Sequence, residues 1–238
     1  MRRSHFTIPF SGFFLCLTLI SGCSQKFQDV NDTAKLALLG DDDTVLSTSK
    51  IEQLPYASMY ARIGDGPQAF MVLAFAEHNS VQNTQPSSLE ISQTIQLKWL
   101  SADKGLIVTQ AGRIIKTASL SEGNLIAINS KTTDPLALGL HKSSTPKYWT
   151  RTIDWQPGYH FGYTLRSTFS NGIEQIVMVN QKPTKSLYYT ESVNVPSIEQ
   201  SYQNEFWVDP QTGAVLKSRQ KLAPNLPVVE FSILKPFS

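Results

Sequence analysis

Residues 159–169 read YHFGYTLRSTF, and this stretch decides the fold class. Aromatic or aliphatic side chains occupy nearly every second position from Tyr159 to Phe169, and mostly polar side chains stand between them. This period of two is typical of a β-strand with one buried face, since successive side chains of a strand point to opposite sides of the sheet. The stretch predicts a strand with its aromatic side inward and His160 on the polar side.

The same alternation recurs along most of the chain from Ile51 onward. Residues 95–99 (IQLKW) alternate in this way, whereas residues 69–76 (AFMVLAFA) are apolar on both sides. An apolar run of this length favours a fully buried central strand. About ten to twelve short strands separated by turn signals predict an all-β, mainly antiparallel sheet that curls into a barrel or sandwich, with at most short helices.

Two turn motifs make specific predictions about strand pairing. Asn171-Gly172 follows the aromatic strand, and Asn-Gly is a strong signal for a two-residue hairpin. Residues 209–213 (DPQTG) combine a proline that presets φ with a glycine that supplies positive φ. We therefore expect a hairpin at each motif, and a short helix near residues 198–202.

Composition and charge exclude several classes of protein. The chain has 238 residues, of which 41% are hydrophobic and 17% charged, so it can bury a core. Its formal net charge is +2, and without Arg2 and Arg3 the count is 19 cations against 19 acidic residues, which argues against nucleic acid as a partner. The two cysteines, Cys16 and Cys23, lie near the N-terminus, so the body holds no disulfide and no cysteine metal site.

Residues 1–25 (MRRSHFTIPFSGFFLCLTLISGCSQ) carry a short cationic start and an apolar stretch of signal-peptide length. The run Leu19-Ile20-Ser21-Gly22-Cys23 resembles the lipobox of bacterial lipoproteins. This resemblance implies cleavage between Gly22 and Cys23, a diacylglycerol thioether on Cys23 and an N-acyl chain on its new amino group. Two or three acyl chains would hold the protein on a membrane. The alternative is an ordinary secretory signal with an incidental cysteine.

The chain is expected to divide into three parts. Residues 1–22 are the signal peptide, residues 23–50 the lipidated N-terminus and a flexible tether, and residues 51–238 a single periplasmic β-barrel-like domain. Position 24 is serine and not aspartate, which by analogy with enterobacterial sorting favours the outer membrane. Residues 41–43 are three aspartates, and since the spacing of a calcium loop is absent, we interpret them as part of a solvated tether.

Few residues of the body point to catalysis or metal binding. The histidines are far apart in sequence and show no metal-ligand spacing, so no metal site is expected. They are His78, His141 and His160. Four carboxylates are candidates for a glycosidase-like pair if the fold brings two of them together. They are Glu191, Glu199, Glu205 and Asp209. With no catalytic motif in the chain, we predict that the protein is not an enzyme.

One strand carries an unusual set of side chains. In residues 148–155 (YWTRTIDW), an extended backbone places Trp149, Arg151 and Trp155 on one face. A guanidinium between indole rings can stack on them. Two alternatives follow: an exposed face that grips sugar rings or a partner protein, or a buried core anchor whose guanidinium pairs with a carboxylate.

Several segments, taken in order, resemble the YjbF/GfcB family of lipoproteins. They are residues 53–60 (QLPYASMY), 66–77 (GPQAFMVLAFAE), 108–117 (VTQAGRIIKT), 123–126 (GNLI), 149–155 (WTRTIDW) and 206–209 (FWVD). The resemblance implies an antiparallel pseudo-barrel. It also implies an outer-membrane lipoprotein encoded with group 4 capsule or exopolysaccharide secretion genes, beside a large outer-membrane β-barrel and a periplasmic protein. No catalytic residues are established for the family.

The expected function is that of a non-enzymatic accessory factor, anchored to the periplasmic face of the outer membrane, in capsule or exopolysaccharide assembly or export. Its expected partners are the membrane, reached through the lipid, the neighbouring secretion proteins and the polysaccharide, and no cofactor other than the covalent lipid is expected. One alternative is a lipid or lipoprotein carrier, since residues 207–213 resemble hairpins of half-barrel lipoprotein chaperones. That alternative requires an apolar cavity. A second is a glycan-modifying enzyme, which requires two carboxylates about 5–10 Å apart.

Overall fold

The structure, a computed structural model, describes residues 43–79 and 94–237. Its first six strands are β1 (Ser58–Ile63), β2 (Ala69–Asn79), β3 (Thr94–Ser101), β4 (Leu106–Gln110), β5 (Arg113–Ala118) and β6 (Asn124–Asn129). The others are β7 (Tyr148–Gln156), β8 (His160–Phe169), β9 (Ile173–Val179), β10 (Lys182–Val195), β11 (Gln200–Val208), β12 (Val215–Lys221) and β13 (Val228–Lys235). The helical segments are α1 (Thr48–Gln53), α2 (Pro135–Leu138) and a single 3-10 turn (Pro196–Ile198).

The strands form one antiparallel sheet that is nearly closed into a barrel. The order is β5-β4-β3-β2-β1-β13-β12-β11-β10-β8-β7-β6, with β9 attached to β10. At the seam, β5 and β6 lie side by side, and the backbone N–H of Leu125 donates to Thr117 Oγ1 at 3.0 Å. The predicted all-β, antiparallel pseudo-barrel with short helices is confirmed.

The inner face of the barrel follows the alternation of the sequence. In β7, every second residue is buried from Trp149 to Trp155, as the pattern predicts. The rings of Trp99, Phe206 and Phe231 fill the interior from three other strands. No helix in the described part of the chain combines the length and apolar character needed to span a bilayer.

The N-terminal part of the described chain is attached to the outside of the barrel. Asp43 forms an ion pair with Arg62, and its other carboxylate oxygen accepts from the backbone N–H of Gln68 at 2.9 Å. Residues 43–50, expected within the tether, therefore contact the barrel, and the folded body begins earlier than residue 51. Gly22, Cys23 and the rest of the expected tether lie outside the described residues.

The apolar run at residues 69–76 is a central strand, but it is not buried throughout. Phe70, Met71 and Val72 are buried in succession because α1 covers the outer side of the sheet, where Ile51 packs against Phe70 and Val72. Beyond this point the strand leaves the core, and Phe75 is exposed. The prediction of a fully buried strand is therefore wrong for its second half.

A bulge in β8 reverses the expected alternation at its start. Ile153 pairs with Tyr163 but Trp155 pairs with His160, so β8 has one residue more than β7 between these pairs. Gly162 provides the positive φ, and its N–H donates to Asp154 Oδ1 at 2.7 Å. His160 therefore shares the side of Trp155 and stacks on its ring, and the prediction that it lies on the polar side is wrong.

The hairpin expected at Asn171-Gly172 does not form. β8 and β9 follow each other along the same edge of β10, so the N-terminal half of β10 pairs with β9 and its C-terminal half with β8. The tight turn lies at Asn180-Gln181, where both residues have positive φ. Gly172 is required for space instead, because a Cβ there would lie 2.7 Å from the ring of Tyr189.

The second predicted hairpin is confirmed. Asp209 closes the turn between β11 and β12, since its carboxylate accepts from the backbone N–H groups of Gln211 and Thr212 at 2.8 Å each. Gly213 has a φ of +76°. The short helix expected near residues 198–202 is wrong for most of that range, because the 3-10 turn covers Pro196–Ile198 and β11 begins at Gln200.

Candidate functional site

A carboxylate lies at the centre of the barrel wall. β10 turns Tyr189, Glu191, Val193 and Val195 inward by simple alternation, so the strand pattern itself places Glu191 in the core. The Glu191 side chain is fully buried. Burying a carboxylate costs free energy unless it is paired and hydrogen-bonded, so the side chains that contact Glu191 must compensate for its burial.

Three side chains from three other strands satisfy Glu191. Arg113 on β5 donates to one carboxylate oxygen at 2.8 Å, and Asn204 on β11 donates to the same oxygen at 2.9 Å. Arg151 on β7 donates to the other oxygen at 2.9 Å and also to Ser167 at 2.6 Å. The carboxylate thus joins strands that are far apart in sequence.

Arg113 has a second acidic partner in the loop before β7. Its Nε atom lies 2.5 Å from Asp134 Oδ2. Asp134 also caps α2, where it accepts from the N–H of Leu136 at 3.0 Å. The two cationic and two acidic side chains therefore have no net charge as a group. We call Arg113, Asp134, Arg151 and Glu191 the buried charge cluster.

Aromatic rings enclose the two guanidinium groups. The ring of Trp149 contacts both, with its centroid 4.8 Å from Cζ of Arg113 and 4.5 Å from Cζ of Arg151. Phe206 contacts Arg113 from another side, at 5.2 Å. Such contacts stabilise a cation that has lost its water, and Arg is suited to them because its guanidinium is planar and weakly hydrated.

Glu191 and Arg113 keep their charges at neutral pH. Burial by itself would raise the pKa of Glu191, but the charges of Arg113 and Arg151, with hydrogen bonds from Arg113 and Ser167, lower it to about 2. Burial would lower the pKa of Arg113, and the charges of Asp134 and Glu191 raise it above its usual value. The charges of Glu191 and Arg113 are therefore maintained by their neighbours in the cluster.

The predicted face of Trp149, Arg151 and Trp155 belongs to this interior. The three residues are 5%, 4% and 2% exposed, and Arg151 pairs with Glu191. This is the arrangement of a core anchor whose guanidinium pairs with a carboxylate. Arg151 stacks on Trp149, whereas the ring of Trp155 stacks on His160, so the two tryptophans do not form one platform.

The other candidate carboxylates do not join Glu191. Glu205 pairs across the sheet with Thr190 and so lies on the outer face, where it accepts from Tyr188 Oη at 2.6 Å. The carboxylate of Asp209 accepts a hydrogen bond from the backbone of its own turn. In the described ranges, no three His, Cys, Asp or Glu side chains gather in a way that could hold a metal ion.

The sequence did not reveal Arg113, Asp134 or Asn204 as partners of Glu191. Arg113 follows a tight turn and is buried together with its neighbour Ile114, so no alternation marks it as inward. The signal for the cluster was Glu191 itself, a charged residue at an inward position of a long strand.

An open groove on the outside of the barrel contrasts with the sealed cluster. It has a volume of about 900 Å³ and crosses β8, β10 and β11. Its lining includes Arg166, Ser192, Asn194 and Gln203. Their side chains have no hydrogen bond or ion pair with other described residues, which leaves donors and acceptors open to solvent.

Comparison with known proteins supports one assignment. The model of the family described as "Group 4 capsule polysaccharide lipoprotein gfcB, YjbF" matches residues 31–234. The chain is 34% identical to the uncharacterized lipoprotein GfcB of Escherichia coli K12, over 91% of this chain and 94% of that protein. It is 30% identical to the uncharacterized lipoprotein YjbF of the same organism, over 93% and 94%.

A solved structure agrees with the fold. The crystal structure of the hypothetical lipoprotein YmcC from E. coli K12 aligns with a TM-score of 0.70 and 30% identity. The alignment covers 93% of this chain and all of the other. The chain therefore belongs to the YjbF family of group 4 capsule polysaccharide lipoproteins.

Proposed function

We propose that the protein is an accessory factor, without catalytic activity of its own, in the assembly or export of a capsule or exopolysaccharide. It acts from the periplasmic face of the outer membrane, held there by the diacylglycerol and N-acyl chains on Cys23. The observation that carries this proposal is the family match, which spans residues 31–234 and thus nearly all of the folded body.

The geometry supports a binding role over a catalytic one. Among the candidate carboxylates, Glu191 is sealed in the barrel and neutralised by Arg113 and Arg151, whereas Glu205 and Asp209 lie apart from it on the outer face and in a turn. The groups left open to solvent are hydroxyl, amide and guanidinium groups on a sheet face, which can form hydrogen bonds to a glycan or a protein. The carrier and enzyme alternatives remain hypotheses with no observation in their favour here.

The two cysteines provide a matched test of anchoring and function. In a strain that lacks the chromosomal gene, Cys23→Ser and Cys16→Ser are expressed from the same vector. The Cys23→Ser protein should fail to incorporate labelled palmitate, leave the outer-membrane fraction and lower the amount of surface polysaccharide at least severalfold. Cys16→Ser should behave as wild type, because Cys16 lies in the part expected to be removed.

Two results would overturn the proposal. One is palmitate labelling of Cys23→Ser at the wild-type level. The other is unchanged polysaccharide output from the strain that lacks the gene altogether, since an accessory factor in export must affect the exported amount.

A further inference from the structure

The strand β9 exposes more apolar side chains than its neighbours do. Ile173, Ile176 and Met178 are 59%, 63% and 55% exposed, so three of the ten exposed large hydrophobic residues in the described chain lie on seven consecutive positions. Val177 points the other way and is buried, which fixes the face that Ile176 and Met178 present. Ile173 lies on the side of Val177, so Ile176 and Met178 are the apolar pair on the exposed side, and exposed apolar groups of this kind mark an interface.

The backbone of β9 has an open edge as well. Within the described residues, β9 pairs with β10 and with no other strand. By contrast, β8 pairs with β10 on one edge and with β7 on the other. Natural proteins normally protect such an edge with charges, prolines or a covering loop. β9 has one charged residue, Glu174, and no proline. A row of unpaired N–H and C=O groups beside exposed isoleucines is suited to one occupant, which is another β-strand.

We propose that this edge pairs with the β9 strand of a second copy of the chain, antiparallel and centred on Ile176. The sequence IEQIVMV is complementary to itself in that register. Ile173 then lies opposite Val179, Glu174 opposite Met178 and Gln175 opposite Val177, each pair occurring twice about the two-fold axis.

Both electrostatic repulsion and the number of paired residues favour this register. Centring the pair on Glu174 would place two carboxylates opposite each other, which destabilises a sheet. Centring it on Ile176 pairs all seven residues of the strand and leaves Glu174 beside its own neighbour Lys185, which β10 places opposite Ile176. The inference does not depend on the proposed role in polysaccharide export.

Crosslinking in intact cells tests the contact. In the full-length chain, Ile176→Cys places two thiols opposite each other at the two-fold axis, within reach of a disulfide. Oxidation should give a band of twice the mass on a non-reducing gel, in most of the molecules. Phe161→Cys is the matched control, because Phe161 is 60% exposed but lies on β8, away from the proposed contact, and this variant should run at the monomer mass on the same gel.

A charge exchange tests the register. Ile176→Lys and Ile176→Glu should each abolish co-purification of two differently tagged copies, because residue 176 faces itself, and co-expression of the lysine with the glutamate variant should restore it. The proposal is overturned if wild-type copies fail to co-purify, if the Lys/Lys pair co-purifies as wild type does, or if Ile176→Cys crosslinks as little as Phe161→Cys. An Ile176→Cys adduct of any other mass would identify a different protein at this edge and overturn the self-pairing.

Discussion

The two halves of β10 reverse the usual distribution of side chains. Its C-terminal half buries Glu191 among two guanidiniums, while its N-terminal half supports β9, where Ile176 and Met178 face solvent. In the first region every charge has a partner within the chain, so burial is tolerated. In the second region, Ile176 and Met178 are exposed, and the outer edge of β9 pairs with no strand of the described ranges. The comparison indicates that the first region serves the fold and that the second serves an interaction.

The largest effect is expected from breaking the buried charge cluster. Glu191→Gln leaves two buried guanidiniums with only Asp134 as an anionic partner, and it should lower the free energy of unfolding by about 3–5 kcal/mol. Glu205→Gln, on the outer face of the adjacent strand, should cost less than about 1 kcal/mol. Urea denaturation at pH 7 measures both. Equal losses in the two variants would contradict the distinction between the two faces.

The pH dependence of stability gives an independent measure of the same cluster. The pKa of Glu191 is about 2 in the folded protein and 4.5 for a free side chain. Because the folded-state pKa is lowered, the stabilisation is complete above pH 4.5 and is lost as the pH falls towards 2. The difference between wild type and Glu191→Gln in free energy of unfolding should shrink by about 3 kcal/mol across this window. A constant difference from pH 6 to pH 2.5 would show that Glu191 is not held ionised.

A smaller effect is expected at the junction between the two regions. Gly172→Ala brings a Cβ to 2.7 Å from the buried Tyr189 ring and should cost about 1–3 kcal/mol. Asn171→Ala should cost less than about 0.5 kcal/mol, because Asn171 is exposed and does not form a hairpin turn. Thermal unfolding of the two variants checks this, and a larger loss for Asn171→Ala would restore the hairpin interpretation.

The sequence predicted where strands occur better than it predicted how they pair. The alternation in β7 placed Trp149, Arg151 and Trp155 on one face because a strand that pairs regularly keeps its period, and the structure showed that this face is the inner one. The alternation in β8 assigned His160 to the wrong side because one extra residue at Gly162 shifts the register. The Asn171-Gly172 signal was misleading because the chain makes no hairpin turn there. The glycine is needed for another reason, since a Cβ at Gly172 would collide with the ring of Tyr189 on β10.

The sequence by itself determined that this chain is a mainly antiparallel all-β protein of short strands, because side-chain periodicity depends only on local backbone geometry. It also carried the family resemblance. The tertiary structure alone decided that Glu191 meets Arg113, which is 78 residues away, and that β9 pairs with no described strand other than β10. Which strands become neighbours depends on closing the sheet as a whole, and no local pattern in the sequence encodes that choice.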